Sequence, residues 1–498
     1  MAKPNSSASR AWGRKKSRST KAGKATGVIL FLFGIPFAAA GVFIIYTALT
    51  GGSMTWEGSD EEVPLAFSLI FGGLFLCVGL GVITGGVLTL VNERWQRAQE
   101  AYYLGQPWML QKDWVAGRIK DSNLKAVFGS GAFALFWNAI AWMVTYALFS
   151  EGEQEGNQGM YFVLIFPVIG VFLLGAFFYQ LMRYRRYGSS VFELTENPGV
   201  IGGNLGGVIL SNVKITSQDG YNLTLRCKHV HSYNSRKGTQ TDILWEKQVH
   251  LKREAVSHDI RGTLIPVLFF IPYDCKPTQA VDDHENIRWE LEVKAETEGV
   301  DYKAAFEVPV FMTPQSSPDA QEPAQGIPGV EAVPLPSLES IPGLTRGHDA
   351  SGNQVLEFRV MRHASMSIIP AIFGIGMAVA AYFIWQKTDA PLLFPLVFLF
   401  FSAICVLSAG GSILTYTRIV LRVGSIELER RTMGMRKNVT MPRQDIVSIE
   451  PSNGMSTNQT VYYNAVVELT DGKKHTLPVL IKGRREAEAF IEHLKQYP

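Results

Sequence analysis

The chain is poor in cysteine, in charge, and in any excess of one sign of charge. Four cysteines are spread over 498 residues, too few to staple a disulfide scaffold. Asp, Glu, Lys and Arg make up 18% of the residues, against about 25% in an average soluble domain. The 47 Lys and Arg nearly balance the 44 Asp and Glu, leaving a net charge of +3. That excludes a disordered polyelectrolyte and a strongly basic nucleic-acid binder, so no nucleic-acid partner is expected. Reactive signatures are missing too. The chain has no GxSxG, no GxxxxGK[ST], and no HExxH or CxxC spacing. It is read as a non-enzyme with no catalytic residues, no cofactor and no metal.

What is present is hydrophobic sequence in long blocks. Six runs, near Val28–Leu49, Leu65–Val91, Val127–Phe149, Tyr161–Met182, Ser367–Trp385 and Leu392–Tyr416, carry no Asp, Glu, Lys, Arg or His in their interiors. A bilayer is spanned by about 20 apolar residues, so six transmembrane helices are expected. Tyr46, Trp142, Tyr146, Tyr179 and Trp385 lie toward run ends, where interfacial aromatics gather. The polar residues inside the runs are neutral, such as Asn138 and Thr145. An ion-coupled carrier needs ionisable groups at that depth. Gly72, Gly73, Gly79, Gly81, Gly85 and Gly86 in the second run are expected to let helices approach closely.

Flanking charge orients the runs. The first 24 residues contain eight Lys and Arg and no acid. The next loop holds Glu57, Asp60, Glu61 and Glu62 without a base. Arg94, Arg97, Lys112, Arg118, Lys120 and Lys125 follow the second run, and only Glu151, Glu153 and Glu155 follow the third. Arg183, Arg185 and Arg186 follow the fourth run, and Arg418 and Arg422 follow the sixth. This alternation obeys the positive-inside rule. It places both termini and both large polar regions in the cytoplasm of a cell with an inner membrane. The first run is longer than the roughly 7–15 apolar residues of a signal peptide, so it is expected to stay as an anchor.

Two polar regions have strand character. In 188–312, Leu223, Leu225, Cys227, His229 and His231 fall on one strand face, as do Trp289, Leu291, Val293 and Ala295, and Phe306, Val308 and Val310. Period-two alternation broken by glycine turns predicts a β-sandwich. Its glycine-rich first strand, Leu-x-Cys strand and late Trp-x-Leu-x-Val strand resemble an arrestin-type sandwich. Residues 313–345 carry seven prolines and read as a stiff linker. In 418–498, six strand-like runs precede Arg484–Lys495, where Ala487, Phe490, Ile491 and Leu494 follow helical spacing. That order of elements resembles a pleckstrin-homology (PH)-like fold. The expected segments are a basic tail at 1–24, four helices within 25–187 with an amphipathic loop at 92–126, the sandwich at 188–312, the linker, two helices within 346–417, and the PH-like domain at 418–498.

The candidate contact residues fall in two places. The first is the stretch Pro107–Ile119, where Trp108, Lys112, Trp114 and Arg118 suit the inner headgroup layer or a connection between spans and sandwich. The second is the turn around Gly434, flanked by Arg430, Arg431, Arg436 and Lys437, where anionic lipid would attract each base by about 1 kcal/mol. Cys227, His229 and His231 at i, i+2 and i+4 are read as core and strand-end residues and not as zinc ligands. The stretch Pro-Trp-x-x-x-x-Asp-Trp-x-Ala-Gly-Arg-Ile resembles one in a proteobacterial family of multi-pass inner-membrane proteins of unknown function. That resemblance extends over most of the chain and brings no activity or site residues with it. The expectation is therefore an inner-membrane scaffold or binding protein. Its contacts are the lipid bilayer and a protein partner or a second copy of itself. The alternative is a small-solute transporter or channel gated by its β domains.

Overall fold

Uncharged runs fold as helices because a helix satisfies every backbone N–H and C=O within one segment. The computed structural model describes residues 6–50, 65–102, 106–155, 164–232, 239–260, 262–282, 285–322, 328–362, 364–387, 393–457 and 460–497. The acidic loop at 51–64 lies outside them, as do residues 156–163, whereas Glu151, Glu153 and Glu155 fall at the end of a helix. The chain divides into two units, Met1–Gln240 with Leu244–Val333, and Thr241–Ile243 with Pro334–Pro498.

The first unit contains α1 (Ser6–Leu49), α2 (Leu65–Tyr102), the single turn α3 (Lys112–Val115), α4 (Asn123–Glu155) and α5 (Ile165–Tyr187). Four helical stretches, Gly27–Leu49, Ser68–Asn92, Asn123–Tyr146 and Ile165–Tyr187, are long and apolar enough to cross a membrane. Helices α1 and α2 meet along glycines seven residues apart. A Cβ on Gly34 would lie 2.7 Å from the Gly79 carbonyl oxygen. One on Gly41 would lie 2.6 Å from that of Gly72, and one on Gly86 2.8 Å from that of Gly27. A seven-residue small-residue seam is what close, shallow-angle packing requires. Gly73, Gly81 and Gly85 face open space instead. Helices α4 and α5 are joined by polar contacts. Asn138 Nδ2 donates to the Gly170 oxygen at 2.9 Å and the Ala134 oxygen at 2.8 Å. Trp137 Nε1 donates to the Phe166 oxygen at 3.0 Å.

The sandwich of this unit is built from β1 (Arg118–Lys120), β2 (Val191–Leu194), β3 (Gly199–Val200), β4 (Gly203–Ser211), β5 (Tyr221–Ser232), β6 (Thr239–Leu251), β7 (Ser257–Asp259), β8 (Gly262–Ile271), β9 (Gln279–Asp282), β10 (Glu285–Ala295), β11 (Tyr302–Val308), β12 (Val310–Phe311) and β13 (Val330–Ala332). One large sheet runs β1-β2-β4-β8-β7 and the other β11-β10-β5-β6-β13, with β9 also paired to β10, while β3 and β12 pair with each other. Leu223, Leu225, Cys227, Trp289, Leu291, Val293, Phe306 and Val308 are buried in one core, as alternation requires. Two segments outside 188–312 join the sheets. Strand β1 comes from the loop before α4, and β13 comes from the proline-rich stretch and pairs with β6.

The second unit holds β14 (Leu344–His348), β15 (Gln354–Phe358), α6 (Ala364–Lys387), α7 (Leu393–Ile413), β16 (Thr415–Arg422), β17 (Ser425–Thr432), β18 (Met435–Pro442), β19 (Ile446–Thr457), β20 (Thr460–Leu469), β21 (Lys474–Lys482) and α8 (Arg484–Gln496). The described apolar parts of α6 and α7 are Pro370–Val379 and Pro395–Gly411, shorter than a full span. One sheet runs β14-β15-β16-β17-β18 and the other β19-β20-β21. The expected start of this domain at 418 therefore moves. Leu356 pairs with Ile419 and Phe358 with Thr417, so strands before α6 complete a sheet whose other members follow α7. Phe490 is fully buried, with its ring 5.5 Å from that of Phe358. Ala487, Ile491 and Leu494 are buried beside it.

Candidate functional site

Strands β17 and β18 form a hairpin, and alternation sorts its bases into two pairs. Arg430 lies directly opposite Lys437, and Arg431 opposite Arg436. Like charges directly opposite across a sheet destabilise it. On one face, Glu429 compensates its pair, with Oε1 2.7 Å from Arg431 Nη2 and 2.9 Å from Arg436 Nη2. Arg430 and Lys437 share the other face with Leu428 and Val439 and line a cleft of about 510 Å³. Asn464 on β20 and Lys474, His475, Thr476, Pro478 and Leu480 on β21 complete it. Among the described residues the lining has no carboxylate. Arg430 Nε donates to Thr432 Oγ1 at 3.2 Å, and Asn464 Oδ1 accepts from the Leu480 amide at 3.0 Å. The exposed Lys474 pairs with the half-buried Glu468 at 3.2 Å. A concave site of this size, with several cations and no carboxylate, suits an anion carrying several oxygen acceptors.

The four bases expected around Gly434 thus separate into a compensated outer pair and an uncompensated pair in the cleft. Lys474, His475 and Asn464 were not anticipated. Their one local signal is the Asp471-Gly472 turn, which starts β21 beside a Lys-His step. Nothing in the sequence places β21 near β17 and β18.

The tryptophan stretch is a joint of the first unit. Trp114 is 4% exposed, and its Nε1 donates to the Glu307 oxygen at 3.0 Å. Trp108 and Trp114 pack on Phe311 with ring centroids 5.4 and 6.1 Å away. Gly117, at φ +61°, turns the chain into β1, where Arg118 bridges Glu193 at 2.8 Å. The Trp114 indole therefore belongs to the sandwich core and is withdrawn from solvent. Lys112 and Arg118 are exposed, and Lys112 Nζ lies 5.2 Å from the Trp95 ring centroid. Just beyond β1, buried Asp121 accepts from Ser189 Oγ at 2.8 Å and from the Ser190 amide at 3.2 Å. That ties the start of α4 to the exit of α5.

Cys227 is buried, its Sγ 3.8 Å from the Lys276 oxygen that also accepts from Trp289 Nε1 at 3.0 Å. Among the described residues no group of three or more His, Cys, Asp or Glu is placed to hold a metal ion.

No family model matches the chain, and no curated protein matches it. Among solved structures it is similar to the crystal structure of Spo0M, a sporulation control protein from Bacillus subtilis. That match has 10% identity, covers 62% of this chain and 98% of that one, and has a TM-score of 0.19.

Proposed function

We propose that the protein is a six-span inner-membrane binding protein, with both termini and both β modules in the cytoplasm, that holds an anionic ligand in the cleft of its second, PH-like module. The observation that carries this reading is the Arg430–Lys437 pair. Two cations face each other on the lining of a cleft that has no carboxylate among its described residues, and a bound anion relieves that repulsion. The alternation of basic and base-free loops supports the topology. Two sheets followed by a C-terminal helix support the PH-like assignment. The sandwich, tied to α4 and α5 through the tryptophan joint, is read as a scaffold for a protein partner or a second copy.

A solute carrier or channel gated by the β modules is the rival. Against it stand the buried polar groups of the spans. Asn138 Nδ2 and Thr145 Oγ1 donate to backbone carbonyls of their own helix pair, which supports a packing role.

The test is calorimetric titration of the full-length protein in detergent with inorganic pyrophosphate. Arg430→Gln/Lys437→Gln is expected to weaken binding by about tenfold or more, since charge-assisted bonds contribute ~1.5–3 kcal/mol each. Equal binding by the double variant and the parent sinks the reading.

A further inference from the structure

We infer that a cavity at the exit of α5, in the first unit, takes a zwitterionic phospholipid headgroup of the phosphoethanolamine type. Its phosphate lies between Arg186 and Lys214, and its ammonium lies at Glu298. This goes beyond the anion cleft of the second unit and rests only on the reading of α5 as a span.

The position of the cavity comes from connectivity. Helix α5 ends at Tyr187, and β2 starts at Val191, which pairs with Lys120 of β1 and Leu210 of β4. Asn123, three residues after β1, opens α4. The start of α4, the end of α5 and the segment leaving β4 therefore meet at one end of the sandwich. A cavity of about 260 Å³ lies there, lined by Arg186, Lys214, Thr216, Gln218, Thr297 and Glu298. That is below the ~300–1,000 Å³ of pockets for drug-sized ligands and suits a headgroup.

The walls are held from behind. Buried Thr263 Oγ1 donates to the Val213 oxygen at 2.8 Å and accepts from the Ile215 amide at 2.8 Å. Tyr221 OH donates to the Ile215 oxygen at 2.7 Å, and Ser217 Oγ to the Glu296 oxygen at 2.9 Å. On the other side Tyr187 OH donates to the Val300 oxygen at 2.6 Å, and Arg186 Nη1 donates to the Glu298 oxygen. The charges themselves are not consumed by the walls. Arg186, Lys214 and Glu298 are exposed, and none forms an ion pair with another described residue. Two cations and one carboxylate thus share a preformed cavity without pairing. A purely anionic ligand would meet Glu298, and a purely cationic one would meet Arg186 and Lys214. A ligand carrying both signs satisfies all three.

Depth and an apolar neighbour favour a lipid. Arg186 lies four residues beyond Met182, where the uncharged run ends, about 6 Å along the helix at ~1.5 Å per residue. The polar layer of one leaflet is roughly 5–8 Å thick, so Arg186 stands at headgroup level. The tip of the β7–β8 hairpin sits beside the same wall, since a Cβ on Gly262 would lie 2.9 Å from the Val213 nitrogen. Ile260 at that tip is fully exposed, and contact with the acyl boundary accounts for it. A soluble zwitterion matches the three charges but has no use for Ile260.

The experiment is native mass spectrometry of the full-length protein in maltoside micelles. It is titrated with dioctanoyl phosphatidylethanolamine, dioctanoyl phosphatidylcholine or O-phosphoethanolamine. The phosphatidylethanolamine is expected to bind about five- to tenfold tighter than the phosphatidylcholine, whose quaternary amine has no N–H for Glu298. Glu298→Gln brings the two lipids within about twofold of each other. Lys214→Gln weakens both about two- to fivefold. Ile260→Ser weakens both about threefold and leaves O-phosphoethanolamine unchanged. Arg430→Gln/Lys437→Gln leaves the preference intact, so failure of the anion cleft and failure of this site are read separately. Equal binding of the two lipids, or a preference that survives Glu298→Gln, overturns the inference. So does a preference lost in Arg430→Gln/Lys437→Gln, which would place it in the second unit. If O-phosphoethanolamine binds as tightly as the lipid and Ile260→Ser loses nothing, the ligand is a soluble zwitterion and the lipid assignment falls. Release of the protein from membranes by alkaline carbonate would remove α5 as a span and the inference with it.

Discussion

The two β regions handle opposed cations differently. On the outer face of the sandwich, Lys294 and Lys303 are cross-strand partners. Glu292 lies between them, 2.5 Å from Lys294 Nζ and 3.9 Å from Lys303 Nζ, and also accepts from Arg226 Nη1 at 2.9 Å. Arg226 reaches Glu246 at 2.6 Å, and Lys228 reaches Glu290 at 2.5 Å. The β17–β18 hairpin repeats this on one face, with Glu429 between Arg431 and Arg436. Its other face keeps Arg430 opposite Lys437 and supplies no carboxylate. The same local arrangement is closed by a carboxylate in one place and lined without one, among the described residues, in the other. Counting bases along the sequence does not distinguish the two cases.

The comparison is sharpened first by separating the two cores. Phe490 is fully buried under α8, and Phe490→Ala should destabilise the second unit by about 3–5 kcal/mol. Hydrogen exchange of the full-length protein should show β16–β21 losing protection while β4, β5 and β10 of the sandwich keep theirs. Equal loss in both units would mean that they do not unfold separately.

Next comes the compensating carboxylate of the sandwich. Glu292 is 5% exposed. Burial pushes its carboxyl pKa up, but the charge of Arg226, with Lys294 and Lys303 beside it, outweighs burial and holds the pKa below the ordinary value. The folded pKa lies below the unfolded one. The stabilisation is therefore present above the unfolded pKa and is lost as pH falls through the folded pKa. Glu292→Gln should cost the sandwich about 2–3 kcal/mol near neutral pH, the loss of a charge-assisted bond that leaves cations facing one another. Melting followed from pH 7 into the acid range should show the parent converging on the variant. A constant gap down to the lowest pH would contradict this account of Glu292.

A smaller effect belongs to the tryptophan joint. Trp114→Phe keeps an aromatic ring beside Phe311 and removes the donor to the Glu307 oxygen, at a cost of about 1 kcal/mol. Faster exchange confined to β1, β2 and the Glu307 end of β11 would bear this out. Unchanged exchange there would show that the bond does not hold the joint.

Much of the architecture was legible because the patterns were local. Uncharged runs marked α1, α2, α4 and α5. Period-two alternation marked β5 and β10, and the spacing of Ala487, Phe490, Ile491 and Leu494 marked α8. What escaped was pairing at a distance. Arg118–Lys120 is too short to announce a strand, yet β2 recruits it. Leu344–Phe358 lies across two apolar helices from its sheet partners, so adjacency in sequence assigned it elsewhere. The site was half visible. Arg430, Arg431, Arg436 and Lys437 stood out as a cluster, but their division into two faces depends on hairpin register. Lys474 and His475 enter through contact between two sheets.

The central claim is that Arg430 and Lys437 repel each other when no ligand is bound. It is tested most directly by ligand-free denaturation of the full-length protein, read by exchange at β17 and β18, in Lys437→Gln and Arg436→Gln. Each effect is expected to be about 0.2–1 kcal/mol. Lys437→Gln should stabilise the hairpin, because it removes a repulsion, and Arg436→Gln should destabilise it, because it removes a bridge to Glu429. Destabilisation by both would contradict the account, since it would mean that Lys437 is already held by an interaction within the fold.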